Sequence, residues 1–187
     1  MADKTIDSGK PCCVNASAVG AAFHQLPTAH GQGQYNPDGL RLIKSVLAIA
    51  VRSDHRGPMV EVNQAETFAN DCLAGDHGSS TERGITLLAS WQWQQVIQQL
   101  GVDFPWHTRR ANLLIEADTL EHLIGRTIRI GHVRVDVKAE TEPCGQMDRW
   151  QPGLKAALAT GCRGGVYGQI IDSGTIQVDD KVCIEKV

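Results

Sequence analysis

The sequence predicts a mostly β protein, a closed and largely antiparallel β-barrel with a few short helices. Two observations lead there. From Leu42 onward the chain carries about seven or eight short runs of apolar or alternating residues, separated by turn residues. Helical periodicity is sustained at only two places, too few for the regular crossover helices of a parallel sheet. Short strands in this number fit best when curled into a small barrel.

The chain as a whole sets bounds. Its 187 residues suffice for one domain with a sizeable core. A composition that is 42% hydrophobic and 21% charged is ordinary for a globular protein. The net charge of −3 gives no basic excess that would point to nucleic acid or an anionic membrane as a partner. No apolar run approaches the roughly 20 residues of a membrane span, and no basic stretch leads into an apolar core as in a secretory signal. A cytoplasmic protein is expected, with Cys12, Cys13, Cys72, Cys144, Cys162 and Cys183 reduced. None of them forms a Cys-x-x-Cys pair, which argues against structural zinc.

Residues 1–41 combine small residues with Gly31-Gln32-Gly33-Gln34 and Asn36-Pro37-Asp38-Gly39, lack periodicity, and are expected to form a flexible tail. Residues 42–187 are expected to form the barrel domain. Around Leu47, Ile49 and Val51 both alternating sets are mostly apolar, which predicts a strand covered on both faces. After a turn at 53–58, Met59 to Val62 returns as its hairpin partner. Residues 63–84 read as irregular and hold the polar loop Gly75-Asp76-His77-Gly78.

Ile85 to Ala89 reads as a strand leading into a helix, with Ser90 at its N-cap and Gly101 just past its end. Trp93, Val96, Ile97 and Leu100 form its apolar stripe, and Gln92, Gln95, Gln98 and Gln99 its wet side. Phe104 to Thr108 is expected to be a loop, followed by a strand carrying Arg109, Arg110 and Asn112 into Leu113-Leu114-Ile115. Glu116 to Ile124 suits a turn or short helix, and Gly131-His132 joins strands Thr127–Ile130 and Val133–Val137. A short helix is expected over Leu154 to Thr160. The runs around Val166–Ile171, Ile176–Val178 and Val182–Ile184 predict a closing meander.

The stretch richest in chemistry is Thr141-Glu142-Pro143-Cys144-Gly145-Gln146-Met147. Val133, Val135 and Val137 alternate with Arg134, Asp136 and Lys138 just before it, marking a half-buried strand. Pro143 cannot donate to a sheet ladder, so pairing should stop there. Cys144 is then presented on a constrained loop at a strand end.

In order along the chain stand Gly75-Asp76-His77, Arg110-Ala111-Asn112-Leu113, Ile130-Gly131, Pro143-Cys144-x-x-Met147, Gly164-Gly165-Val166-Tyr167-Gly168 and Gly174-Thr175-Ile176. With these marks the chain resembles the MOSC domain, named for the C-terminal region of molybdenum cofactor sulfurase. The resemblance runs from about Val46 to Val187. It departs at Asp76-His77, adjacent here where the family has an intervening residue, and at Asp179-Asp180, where Gly-Asp is usual. It implies a closed β-barrel with one reactive cysteine. It also implies handling of the molybdenum cofactor, either by a sulfur carrier or by a reductase of N-hydroxylated compounds. The family is further associated with pyridoxal phosphate binding. No aminotransferase-type region precedes the barrel, so a stand-alone MOSC protein is expected.

On that resemblance Cys144 is both the catalytic residue and the metal ligand, since molybdenum accepts soft thiolates. Arg110, Asn112, Arg163, Gly164, Gly165, Asp76 and His77 are the expected cofactor-binding set. Positive charge near a thiol favours the thiolate. Arginine grips phosphate bidentately, glycines admit backbone N–H groups to an anion, and an Asn amide can bond pterin edges. Strand alternation would send Arg109 and Arg110 to opposite faces, so that at most one reaches the pocket; the resemblance, by the position two residues before Asn112, implies Arg110. His107 is a possible general acid beside its aromatic loop. The chain has no ferredoxin-like cysteine cluster and no Gly-x-Gly-x-x-Gly fingerprint. A reductase would therefore need an electron-donor protein besides its small-molecule substrate, and a carrier a sulfur-donor protein.

Overall fold

The structure, a computed structural model, describes residues 41–55, 57–77 and 80–185. The expected tail, with Cys12 and Cys13, lies outside the described residues apart from Arg41. So does Gly78 of the polar loop.

Seven strands close the predicted barrel. They are β1 (Arg41–Val51), β4 (Ile85–Ala89), β5 (Leu113–Ile115), β6 (Thr127–Ile130), β7 (Val133–Glu140), β8 (Val166–Ile170) and β10 (Lys181–Ile184). Around the barrel the order is β10, β6, β7, β8, β4, β5, β1, and β1 pairs back onto β10. β2 (Val60–Val62) adds to β1 through Val51↔Val60, the predicted hairpin. All barrel pairs are antiparallel except β4 with β5, where Leu87 pairs Leu113. Between these two strands runs helix α1 (Ser90–Leu100), the connection a parallel pair requires.

The valine alternation of β7 is borne out: Val133, Val135 and Val137 are buried, and Arg134 and Lys138 are exposed. They meet Ile128, Ile130, Leu87, Leu113, Ile170 and Val182 inside the barrel. β1 is more irregular than expected. Its register shifts between Leu42 and Lys44 and between Val46 and Ala48. Val46 and Ile49 therefore enter the barrel, Ala50 faces a second core, and Leu47 is 40% exposed. That second core lies outside the barrel wall, where Trp93, Val96, Trp106, Met147, Leu154 and Leu158 pack on Leu88 and Ala111.

Several local expectations are corrected. Residues 63–84 are not wholly irregular: β3 (Gln64–Thr67) pairs β9 (Gly174–Gln177) as a separate two-stranded sheet. The chain end is consequently no meander, since β9 leaves the barrel and β10 inserts between β1 and β6. Ser90 is the first residue of α1, with Ala89 at the cap. Gln92 is buried, and its Nε2 donates to the carbonyl of Gly161. Gly101 does end α1 in the left-handed region at φ 64°. Trp106–Arg109 forms a 3-10 turn where a loop and strand were expected. Two helices of four and five residues follow β7, α2 (Met147–Trp150) and α3 (Leu154–Leu158). Only the second was legible in the sequence.

Candidate functional site

Cys144 is exposed on the segment between β7 and α2. Buried anchors bracket it. On one side Thr141, 3% exposed, donates its backbone N–H to the carbonyl of Gly165 at 2.8 Å. On the other Met147, 1% exposed, sits in the second core and donates its N–H to the carbonyl of Cys144 at 3.0 Å. Pro143 removes a donor between them. The spacing Pro-Cys-x-x-Met thus sets a thiol in the open on a segment tied at both ends. A Cβ built on the adjacent Gly145 would meet no atom within 4 Å beyond its chain neighbours, so the backbone next to the thiol is open on that side.

Arg109 and Arg110 belong to the end of the 3-10 turn, and Arg109 reaches the root of the thiol segment. Strand alternation does not divide them, because neither lies in a strand. Arg109 ends the turn and is 5% exposed; Arg110 follows in the left-handed region at φ 64° and is half-buried. Burial first, then the charge of Arg83, pulls the Arg109 guanidinium down to about 10; Cys144 and Glu140 act in the opposite sense. Arg110 is lowered by burial and by Arg52, and raised by Asp76 and Cys144.

None of these cations is neutralised by a contacting carboxylate among the described residues. Arg109 Nη2 donates to the Thr141 carbonyl at 2.7 Å, and Arg110 Nη2 to the His55 carbonyl at 3.4 Å. Arg52 donates to the carbonyls of His55 and His77. Arg83 lies 5.2 Å from the centroid of the Tyr167 ring. Arg52 and Arg83 escaped the sequence reading, which has Arg109 as a candidate cation beside Arg110. Arg52 and Arg83 come from distant segments and had no such signal.

The other expected site residues divide. Asp76 accepts the backbone N–H of Arg52 through Oδ1 at 2.8 Å, and His77 donates its own N–H to the Arg52 carbonyl at 2.6 Å. The two thus clasp the end of β1 next to Arg110. The exposed His77 ring stands edge-on to His55, 5.8 Å between centroids. Arg163 Nη1 engages Gln99 on α1 at 2.8 Å. His107 packs edge-on against Trp106.

Asn112 and Gly165 are spent inside the fold. Asn112 is 5% exposed. Its Oδ1 accepts from the Thr86 N–H at 3.0 Å and the Thr86 hydroxyl at 2.7 Å, and its Nδ2 donates to the Ala50 carbonyl at 3.3 Å. That buried amide joins β1 to β4. Gly165, at φ 82°, donates its N–H to the Cys162 carbonyl, and a Cβ there would overlap the Leu87 carbonyl oxygen. A Cβ on Gly164 would overlap the Thr141 carbonyl oxygen and stand 3.2 Å from Arg109 Nη2. Close backbone approach is thus the physical demand at both glycines.

Comparison with known proteins follows the same lines. The model of the MOSC domain matches residues 74–183, more than half of the chain. The chain belongs to the MOSC domain family. No protein among curated sequences matches it. Its fold is similar to that of the YuaD protein from Bacillus subtilis, at 14% identity and a TM-score of 0.65, over 77% of this chain and 96% of that one. It is also similar to YiiM from Escherichia coli, at 13% identity and a TM-score of 0.61, over 76% and 70%. For YiiM from Geobacillus stearothermophilus the values are 12%, 0.56, 79% and 75%. At these identities the likeness concerns the fold. The MOSC family is associated with the molybdenum cofactor. Among the described residues no three His, Cys, Asp or Glu side chains gather to hold a metal ion, and no helix is long and apolar enough to cross a membrane.

Proposed function

We propose that this MOSC protein binds the molybdenum cofactor at the Cys144 face and uses it to reduce N-hydroxylated compounds. The observation that carries the reading is one exposed thiol three residues past the carbonyl that Arg109 holds, with Arg110 next in the chain and neither arginine in contact with a carboxylate among the described residues. A soft thiolate beside hard cations suits a ligand with a thiophilic metal at one end and a phosphate at the other. The residues present fit both ends. Cys144 would be the protein's own ligand to the metal, and Arg110, half-buried at the rim, would take the anionic end. Asp76 and His77 would hold the neighbouring loop in place by their bonds to Arg52. Asn112 and Gly165 support the wall and do not reach the ligand.

When bound, the cofactor supplies two-electron redox chemistry at the metal. The chain's own residues orient the ligand, keep positive charge beside the sulfur and leave the Gly145 side open for substrate. Electrons come from a separate donor.

One observation favours a second reading. Cys144 is exposed enough to meet another protein directly, as a persulfide-bearing sulfur carrier requires. The two part in one assay. Cofactor-loaded protein with an artificial electron donor is given hydroxylaminopurine or an amidoxime. The reductase reading expects many turnovers by wild type and none by Cys144→Ser. No turnover by wild type, with a persulfide on Cys144 by mass spectrometry, would establish the carrier.

A further inference from the structure

We propose that the adjacent arginines have different duties: Arg109 is a positioning residue that holds the Cys144 segment from inside, and Arg110 alone is offered to a ligand. The inference rests on Cys144 being the working residue, not on the identity of the cofactor. Arg109 reaches from the 3-10 turn across to the exit of β7, and Nη2 bonds the carbonyl of Thr141, three residues before the thiol. The same carbonyl lies against Gly164, where any side chain would collide with it and crowd the guanidinium. Thr141 N–H is meanwhile held by Gly165, and Gly165 N–H by Cys162. Arg109, Thr141, Gly164 and Gly165 thus form one buried knot at the root of the thiol segment.

The knot carries an unpaired charge. Arg109 is 5% exposed, with a buried Nε and no carboxylate in contact among the described residues, and the neighbouring Thr141 Oγ1 is also buried without a partner among them. A buried cation left this way is costly, and a site that only needed packing would favour an apolar side chain. Nη2 bonds the carbonyl and so holds the charge at the root of the thiol segment. A lysine would supply charge without the planar fork. Arg110 differs in each respect. It is half-buried and left-handed at φ 64°, and the bond of its side chain to the His55 carbonyl is long at 3.4 Å. A ligand anion can displace such a contact.

The test uses the cofactor-free 187-residue chain and two readouts. Hydrogen exchange at the amides of Thr141 and Met147 reports the hold on the segment. The ratio of Cys144 alkylation rates by iodoacetate and iodoacetamide reports the local positive field, because the thiolate fraction cancels between the two reagents. Arg109→Gln and Arg109→Lys should each speed exchange at Thr141 at least about tenfold. In Arg109→Lys the alkylation ratio should stay within about twofold of wild type. Arg110→Gln should leave exchange unchanged and lower the ratio about threefold or more. Exchange unaltered in a folded Arg109→Lys variant, or accelerated equally by Arg110→Gln, would overturn the division. If Arg109→Gln does not fold, Arg109→Lys and Arg110→Gln still decide it.

Discussion

Removing the Asn112 amide should cost stability before it costs any binding. Asn112→Ala deletes two bonds from Thr86 to Oδ1 and one from Nδ2 to the Ala50 carbonyl. Thr86 is 8% exposed, so its hydroxyl and N–H lose their partner with little water to replace it. A net contribution of about 1 kcal/mol per bond gives a loss of about 3 kcal/mol. For a chain of this size that is roughly 6–12 °C in melting temperature. Thr86→Val should be strongly non-additive with it, since the Thr86 hydroxyl both donates to Asn112 Oδ1 and accepts the Asn112 backbone N–H. Thermal and urea unfolding of the two single variants and the double variant measure both quantities. A fall of less than about 1 kcal/mol, or strict additivity, would refute the clamp and return Asn112 to the ligand.

Gly165→Ala should destabilise the fold severely and be seen in urea unfolding, because φ 82° and the Leu87 carbonyl leave no room for a methyl group. Timed alkylation with peptide mapping should label Cys144 ahead of Cys72, Cys162 and Cys183, of which the last two are buried; faster labelling of any of the three would move the site. Burial pushes the Cys162 thiol up to about 11 from an ordinary 9.0. The unfolded chain therefore gives up its proton first, so stability should fall as pH rises from about 9 to 11, and this component should be missing from Cys162→Ala. Arg134 holds the Asp172 carboxyl below its ordinary 3.8. Its contribution is present above that value and lost as pH falls through the lower folded value, so wild type and Asp172→Asn should converge in stability at acid pH.

Much of the barrel was legible because its strands carry their own pattern. In β7 three valines alternate with three charged residues, and no distant partner is needed to read them. β3 was hidden because Gln64-Ala65-Glu66-Thr67 has little apolar character; Ala65 and Thr67 become buried only when β9 arrives from residues 174–177. The site divides the same way. Pro143, Cys144 and Met147 act through local constraints, so their spacing announces the thiol. Arg109 and Arg110 were misread as strand residues because the 3-10 turn is set by the seating of Trp106 in the second core and the bond from its Nε1 to Glu61. Asn112 was chosen for what an exposed amide can do, and only the approach of Thr86 and Ala50 shows that amide to be taken.

The central claim is that Cys144 ligates the metal of a bound molybdenum cofactor. Its most direct test is the molybdenum content of protein purified from a host that makes the cofactor, taken together with its absorbance spectrum. The account predicts about one molybdenum per chain in wild type, with a thiolate-to-metal absorbance band, and loss of both in Cys144→Ser. Molybdenum retained in full by Cys144→Ser, or none in wild type, would contradict it.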